Sequence, residues 1–157
     1  MKTSGSLELY QLESIEPVVL TPLEERLHAG GYGAFPSAAL DFPDESIDFL
    51  KLLVKDPVTT FPGRVSGDSL KDIGILNEDW CLIQKGIEAR PNDLVAAIIE
   101  NQFFIKRFRP RYGDKNQIKE LKLQSANVEF SDFDITDETE FFLWGVVTWT
   151  FKNWRKL

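Results

Sequence analysis

The sequence predicts a compact, mostly-β domain over residues 34–157, with one or two short helices, preceded by a flexible arm over residues 1–33. Three observations carry this expectation. From residue 58 onward, short apolar runs rich in β-branched and aromatic residues alternate with polar turn clusters, the pattern of successive strands. Residues 1–33 hold few periodic apolar positions and end in His28–Ala29–Gly30–Gly31–Tyr32–Gly33, where glycine disfavours a stable helix or strand. Hydrophobic residues make up 43% of the 157, enough to bury a core and too many for a disordered chain.

The elements follow in order. Within the arm, Pro22–Leu27 has the composition of one short helical turn. Ile47, Leu50 and Val54 recur at helical spacing, with Pro43 and Asp44 as start signals, and this helix must stop before Pro57. Val58 to Val65 reads as a strand interrupted at Pro62–Gly63. Trp80–Ile83 is a short buried strand after the polar turn Asn77–Glu78–Asp79. Leu94–Ile99 is the next, and Glu100–Asn101–Gln102 turns it into Phe103–Phe108. Leu121–Leu123, Val128–Phe130 and Phe141–Phe151 complete the set. Trp144 is expected in the core. Trp149 and Trp154 fit either ordinary burial or a self-association face, and exposed strand edges add to the expectation of a homodimer.

Charge and composition exclude several functions. The formal net charge is −7, which argues against direct nucleic-acid binding, since that affinity comes mainly from Lys and Arg. The longest apolar runs, such as Leu94–Ile99, are too short to cross a bilayer. Met1–Lys2–Thr3–Ser4 is not followed by an apolar signal core. The expectation is a cytoplasmic protein with no membrane contact. Cys81 is the only cysteine and His28 the only histidine, which excludes an internal disulfide, and no metal or other cofactor is expected.

Two places carry candidate chemistry. In Val65–Ser66–Gly67–Asp68–Ser69–Leu70, a glycine two residues before a serine lets the backbone turn sharply and lift the hydroxyl, while nearby backbone N–H groups face an incoming oxyanion. Alone, Gly-Asp-Ser equally describes an ordinary turn. The second place is Lys106. Along a strand it shares a face with Phe104 and Phe108, whereas Phe103, Ile105 and Arg107 share the other. Desolvation there lowers a lysine pKa, and the neutral amine can take a proton from serine. From pattern alone, a lysine reaching past two phenylalanines to water is the plainer reading.

Taken together, the pieces resemble the LexA-like self-cleaving serine–lysine peptidases, in particular their polymerase-accessory, UmuD-type branch. The resemblance spans roughly residues 33–151. It rests on Phe35–Pro36–Ser37, Ser66–Gly67–Asp68–Ser69, Asp72–Ile73–Gly74–Ile75, Asn92–Asp93–Leu94–Val95, Phe104–Ile105–Lys106–Arg107 and Trp144–Gly145–Val146–Val147, which stand in family order. It implies Ser69 as nucleophile, Lys106 as general base, and the backbone N–H groups of Ser69 and Leu70 as oxyanion donors. It implies cleavage of the chain's own arm at Gly33–Ala34, with Ala29–Gly30 as the alternative bond. The order Gly then Ala departs from the family's commoner glycine after the cut, and Leu70 stands where many relatives have methionine. For partners it implies a RecA-type filament on single-stranded DNA as stimulator and a Y-family (UmuC-like) polymerase as client in the SOS damage response. A LexA-like regulator and a non-catalytic β-domain binding module are the competing readings. The first needs a helix-turn-helix module that residues 1–33 do not resemble.

Overall fold

The computed structural model describes residues 7–9, 19–20 and 47–155, and they fall into two units. The larger contains β1 (Leu7–Leu9) and everything from Asp56 on; the smaller contains β2 (Val19–Leu20), β3 (Ile47–Asp48) and α1 (Phe49–Leu53). Mostly-β architecture is what the larger unit shows. Its strands are β1, β4 (Thr60–Val65), β5 (Trp80–Gln84), β6 (Leu94–Ile99), β7 (Gln102–Tyr112), β8 (Ile118–Gln124), β9 (Phe133–Ile135) and β10 (Phe141–Phe151). They form one sheet in the order β1-β4-β5-β10-β6-β7-β8-β9, and every described pairing is antiparallel.

Alternation along these strands produces two cores, one on each face of the sheet. On one face Ile105 joins Leu7, Val65, Leu70, Ile75, Cys81, Ile83 and Ala96. On the other, Phe104 and Phe108 join Val95, Ala97, Ile99, Leu123 and Val146. The expected division of β7 is therefore observed: Phe104, Lys106 and Phe108 are buried on one side and Ile105 on the other. The β6–β7 hairpin closes through Glu100 and Asn101, both at positive φ (48° and 62°), between paired Ile99 and Gln102. Two left-handed residues match the twist of the flanking strands. Trp144 packs edge-on against Phe61 and Phe103, at 5.1 and 5.7 Å between ring centres. Trp149 and Trp154 are exposed.

Four expectations are corrected. β4 runs through Pro62–Gly63 without a break; among the described residues β1 pairs with Gly63 to Val65, and at Pro62 the strand has β5 as its one neighbour. Proline, which lacks an N–H, is tolerated on such an open edge. Val128–Phe130 is not a strand but part of a turn. The Asn127 carboxamide oxygen accepts the Glu129 N–H at 3.0 Å, and the Asn127 carbonyl accepts that of Phe130 at 3.1 Å. The pairing strand lies later, at Phe133–Ile135. In the smaller unit, Ile47 pairs as a strand with Leu20, and the helix begins one residue after Asp48, whose carboxylate caps it by accepting the Lys51 N–H at 3.1 Å. A carboxylate at this position satisfies an N–H that the first turn leaves unpaired. Finally, two pieces of residues 1–33 are strands: β1, whose Leu-Glu-Leu alternation suits an edge, and β2. The helical turn expected at Pro22–Leu27 and the start signals Pro43 and Asp44 lie outside the described residues.

Candidate active site

The turn after β4 delivers Ser69. Gly67 adopts φ 89°, a left-handed conformation that a side chain would strain. Its N–H is held by the Asn77 carboxamide at 2.8 Å. Leu70, 1% exposed, anchors the far side of the turn in the core. Its carbonyl accepts from Ile73 and Ile75 at 3.1 and 3.3 Å, as the chain enters a single 3-10 turn at Lys71–Ile73. Ser69 is buried at 4% exposure. The N–H groups of Ser69 and Leu70 donate to no acceptor among the described residues. The Asp68 carboxylate accepts from Asn77 N–H at 3.4 Å, and its carbonyl from Lys71 N–H at 3.2 Å.

β7 delivers Lys106, opposite Val95 of β6. The side chain is fully buried. Burial pulls its pKa from the ordinary 10.5 down to about 8, and the negative field of Asp132 opposes that shift. The rings facing the amine are not those of its strand neighbours: Phe130 and Phe133 lie 5.9 and 5.8 Å away. The resemblance implies that this amine takes a proton from Ser69 when the site is active. Among the described residues the amine instead donates to the Ser125 hydroxyl at 2.7 Å.

The segment after β8 links the two residues. Ser125 holds the Lys106 amine, and its neighbour Ala126 donates its N–H to the Ser69 carbonyl at 2.8 Å. The Ala126 carbonyl accepts from Asp72 N–H at 2.9 Å, and the Asn127 carboxamide donates to the Asp68 carbonyl at 2.8 Å. Ser125 and Asn127 are both buried polar residues. Nothing local in the sequence marked Ser125, Asn127 or Asp132 as part of this site. The bonds Gly33–Ala34 and Ala29–Gly30, together with His28, lie outside the described residues. No group of three or more potential metal ligands exists among the described residues, and no helix there is long and apolar enough to cross a membrane.

The profile of the Peptidase S24-like family matches residues 22–148. Protein SamA of Salmonella typhimurium is 35% identical over 96 residues, 60% of this chain and 66% of SamA. Protein MucA of Escherichia coli is 31% identical over 127 residues, 79% of this chain and 78% of MucA. The LexA repressor of Arthrobacter sp. is 29% identical over 113 residues, 72% of this chain and 43% of that protein. The chain thus spans less than two thirds of the length of SamA, and 59% of that of Protein ImpA from Escherichia coli.

Proposed function

The chain belongs to the Peptidase S24-like family, as a UmuD-like member of its LexA group, and from that premise we propose that Ser69 and Lys106 cut its own N-terminal arm between Gly33 and Ala34. The observation that carries this reading is the fully buried amine of Lys106, with its pKa drawn down to about 8, held by the residue next to the one that holds Ser69.

The chemistry follows from those groups. The neutral amine of Lys106 takes the Ser69 proton as the hydroxyl oxygen attacks the Gly33 carbonyl carbon. Charge builds on the carbonyl oxygen, where the N–H groups of Ser69 and Leu70 receive it. The ammonium returns its proton to the departing Ala34 amine, leaving residue 33 esterified to Ser69. Water, deprotonated by the same amine, then releases the serine. A bond between two small residues fits a narrow cleft, and tethering supplies a high local concentration without a tight binding site. In this reading residues 1–33 are the removable arm and 34–157 the peptidase domain.

Cleavage is expected to accelerate with pH up to about 8 and then level off, because only the neutral amine is a base. Incubation over a pH series followed by intact-mass measurement reads the rate and locates the bond together. Ser69→Ala abolishes cleavage. Lys106→Ala lowers it by a factor on the order of 10² to 10⁴ at neutral pH, and Lys106→Arg fails equally, since a guanidinium stays protonated. Cleavage of the Lys106→Ala protein at the full rate removes the assigned base.

The biological role rests on the UmuD-type resemblance. The trimmed protein, as a cytoplasmic homodimer, serves a Y-family, UmuC-like polymerase in translesion synthesis during the SOS response, after a RecA-type filament has stimulated the cut. A net charge of −7 favours reaching damaged DNA through partners. The match to a LexA repressor favours a second reading, a regulator that is inactivated by the same cut. A pull-down comparing the uncut chain with fragment 34–157, against a Y-family polymerase of the same organism, separates the two. Preferential capture by the fragment supports the polymerase role, and equal or absent capture favours the regulator.

A further inference from the structure

A general base must do more than be neutral. An amine has two N–H donors and one lone pair, and only the lone pair can accept the serine proton. Something must therefore fix the rotation of Lys106 about its terminal bond. The group in contact is Ser125, whose hydroxyl lies 2.7 Å from the amine and 2.9 Å from the Ser131 carbonyl. A hydroxyl owns one proton. The Ser131 carbonyl is an acceptor only, so that proton goes to it, and Ser125 presents only lone pairs to Lys106. The backbone of Ser125 is pinned in turn by its N–H to the Asp132 carboxylate at 2.9 Å.

We propose that Ser125 is the positioning residue of the base: its hydroxyl, with its own proton committed to Ser131, accepts one N–H of Lys106 and leaves the amine lone pair for Ser69. This deepens the Ser69–Lys106 reading and rests on it. Ser125 does not touch the reacting atoms. It acts through Lys106, and the adjoining Ala126 and Asn127 hold the Ser69 turn from the same segment. A hydroxyl that could donate to the amine would occupy the lone pair and disable the base. The relay to Ser131 prevents this.

The proposal has a signature that general loosening of the site lacks. A hydrogen bond to the amine is stronger when the amine is charged. Removing the hydroxyl therefore destabilises the ammonium more than the neutral amine, and the midpoint of Lys106 moves below about 8. Loosening admits water and moves it the other way, toward 10.5. Asp132, in the β8–β9 connection, is the charged group acting on the amine. Val95 of β6 and the rings of Phe130 and Phe133 are its uncharged surroundings.

The experiment measures self-cleavage across pH for the full chain and its Ser125→Ala and Ser125→Thr variants. It also measures the titration of Lys106, by carbon-13 label on its Cε, in the Ser69→Ala chain with and without Ser125→Ala. The expected result for Ser125→Ala is a plateau rate lowered about tenfold together with a midpoint shifted to lower pH. Ser125→Thr, which keeps a hydroxyl, recovers most of the lost rate. A Ser125→Ala midpoint that is unchanged or raised overturns the proposal, whether read from cleavage or from the titration. The titration needs no cleavage, so it reads the Lys106–Ser125 contact even where the peptidase reading itself fails. That separate failure would show as Ser69→Ala or Lys106→Ala protein cutting at the full rate.

Discussion

Lys106 sets a cost that a structural side chain at the same place would not. Its amine is fully buried, and folding lowers its pKa from 10.5 to about 8. Between those two values the unfolded chain binds a proton that the folded chain does not, so stability rises as pH climbs from about 8 to 10.5. Below about 8 both states are protonated and the penalty is present in full, about 3 kcal/mol. In a Ser69→Ala background, Lys106→Met is therefore expected to stabilise the fold by about 2–3 kcal/mol at pH 7, with the gain shrinking toward zero by about pH 10. Urea unfolding at the two pH values measures it, and an equal gain at both would mean that the folded amine is not depressed. The same residue shows what sequence could reveal about the site. Ser69 and Lys106 each carry a local mark, a glycine-led turn and a cation on an aromatic strand face. Ser125 carries none, because its role is defined by an amine 19 positions away in the chain. The rings around the amine were misassigned for the same reason: Phe104 and Phe108 are its neighbours in sequence, Phe130 and Phe133 its neighbours in space.

At the scale of elements, β10 ties the sheet together, pairing with β5 on one side and β6 on the other. Its register shifts between Leu143 and Gly145 against β6, and between Val147 and Trp149 against β5. Such irregularities bend a long strand and raise its twist. Gly145 sits at the first of them, where an added Cβ would lie 2.8 Å from the Ile83 side chain and 2.9 Å from the Gln84 carbonyl oxygen. The carbonyl is backbone and has little room to retreat. Gly145→Ala is expected to destabilise the domain by about 1–3 kcal/mol, read as a lowered midpoint of thermal unfolding, while Gly86→Ala, with open space around the position, responds only to its positive φ. The strands themselves were legible wherever alternation and turn chemistry agreed. Leu94–Ile99 and Phe141–Phe151 have the expected limits, and Glu100–Asn101 makes the expected turn. Legibility failed at Val128–Phe130, where a β-branched and an aromatic residue suggested a strand while the Asn127 side chain bonded the backbone into a turn. It failed again at Leu7–Leu9, three residues whose pairing is fixed by β4 rather than by their own propensity.

At the scale of the whole molecule, β1 belongs to the segment that the proposed cut detaches, yet it is a strand of the peptidase sheet. It pairs through Leu7, Glu8 and Leu9 with Val65, Arg64 and Gly63, and Leu7 is 6% exposed. Burying one leucine stabilises by about 1.5–3 kcal/mol, and each net hydrogen bond adds about 1 kcal/mol. A millimolar complex already requires about 4 kcal/mol. On the contacts of the three described residues, β1 is expected to stay docked while tethered and to leave at micromolar concentration once the tether is cut. Leu7 and the Cys81 sulfur both crowd the space above Gly63, at 3.0 and 3.3 Å from where a Cβ would stand. While β1 is in place, Cys81 is wholly enclosed and its thiol is pushed up to about 12. Departure of β1 opens the edge of β4 and takes Leu7 out of the cluster that holds Cys81, so the only cysteine in the chain is expected to act as a chemical reporter of arm release. Maleimide should label it slowly in uncut Ser69→Ala protein and quickly after scission, which times the loss of the strand separately from the breaking of the bond.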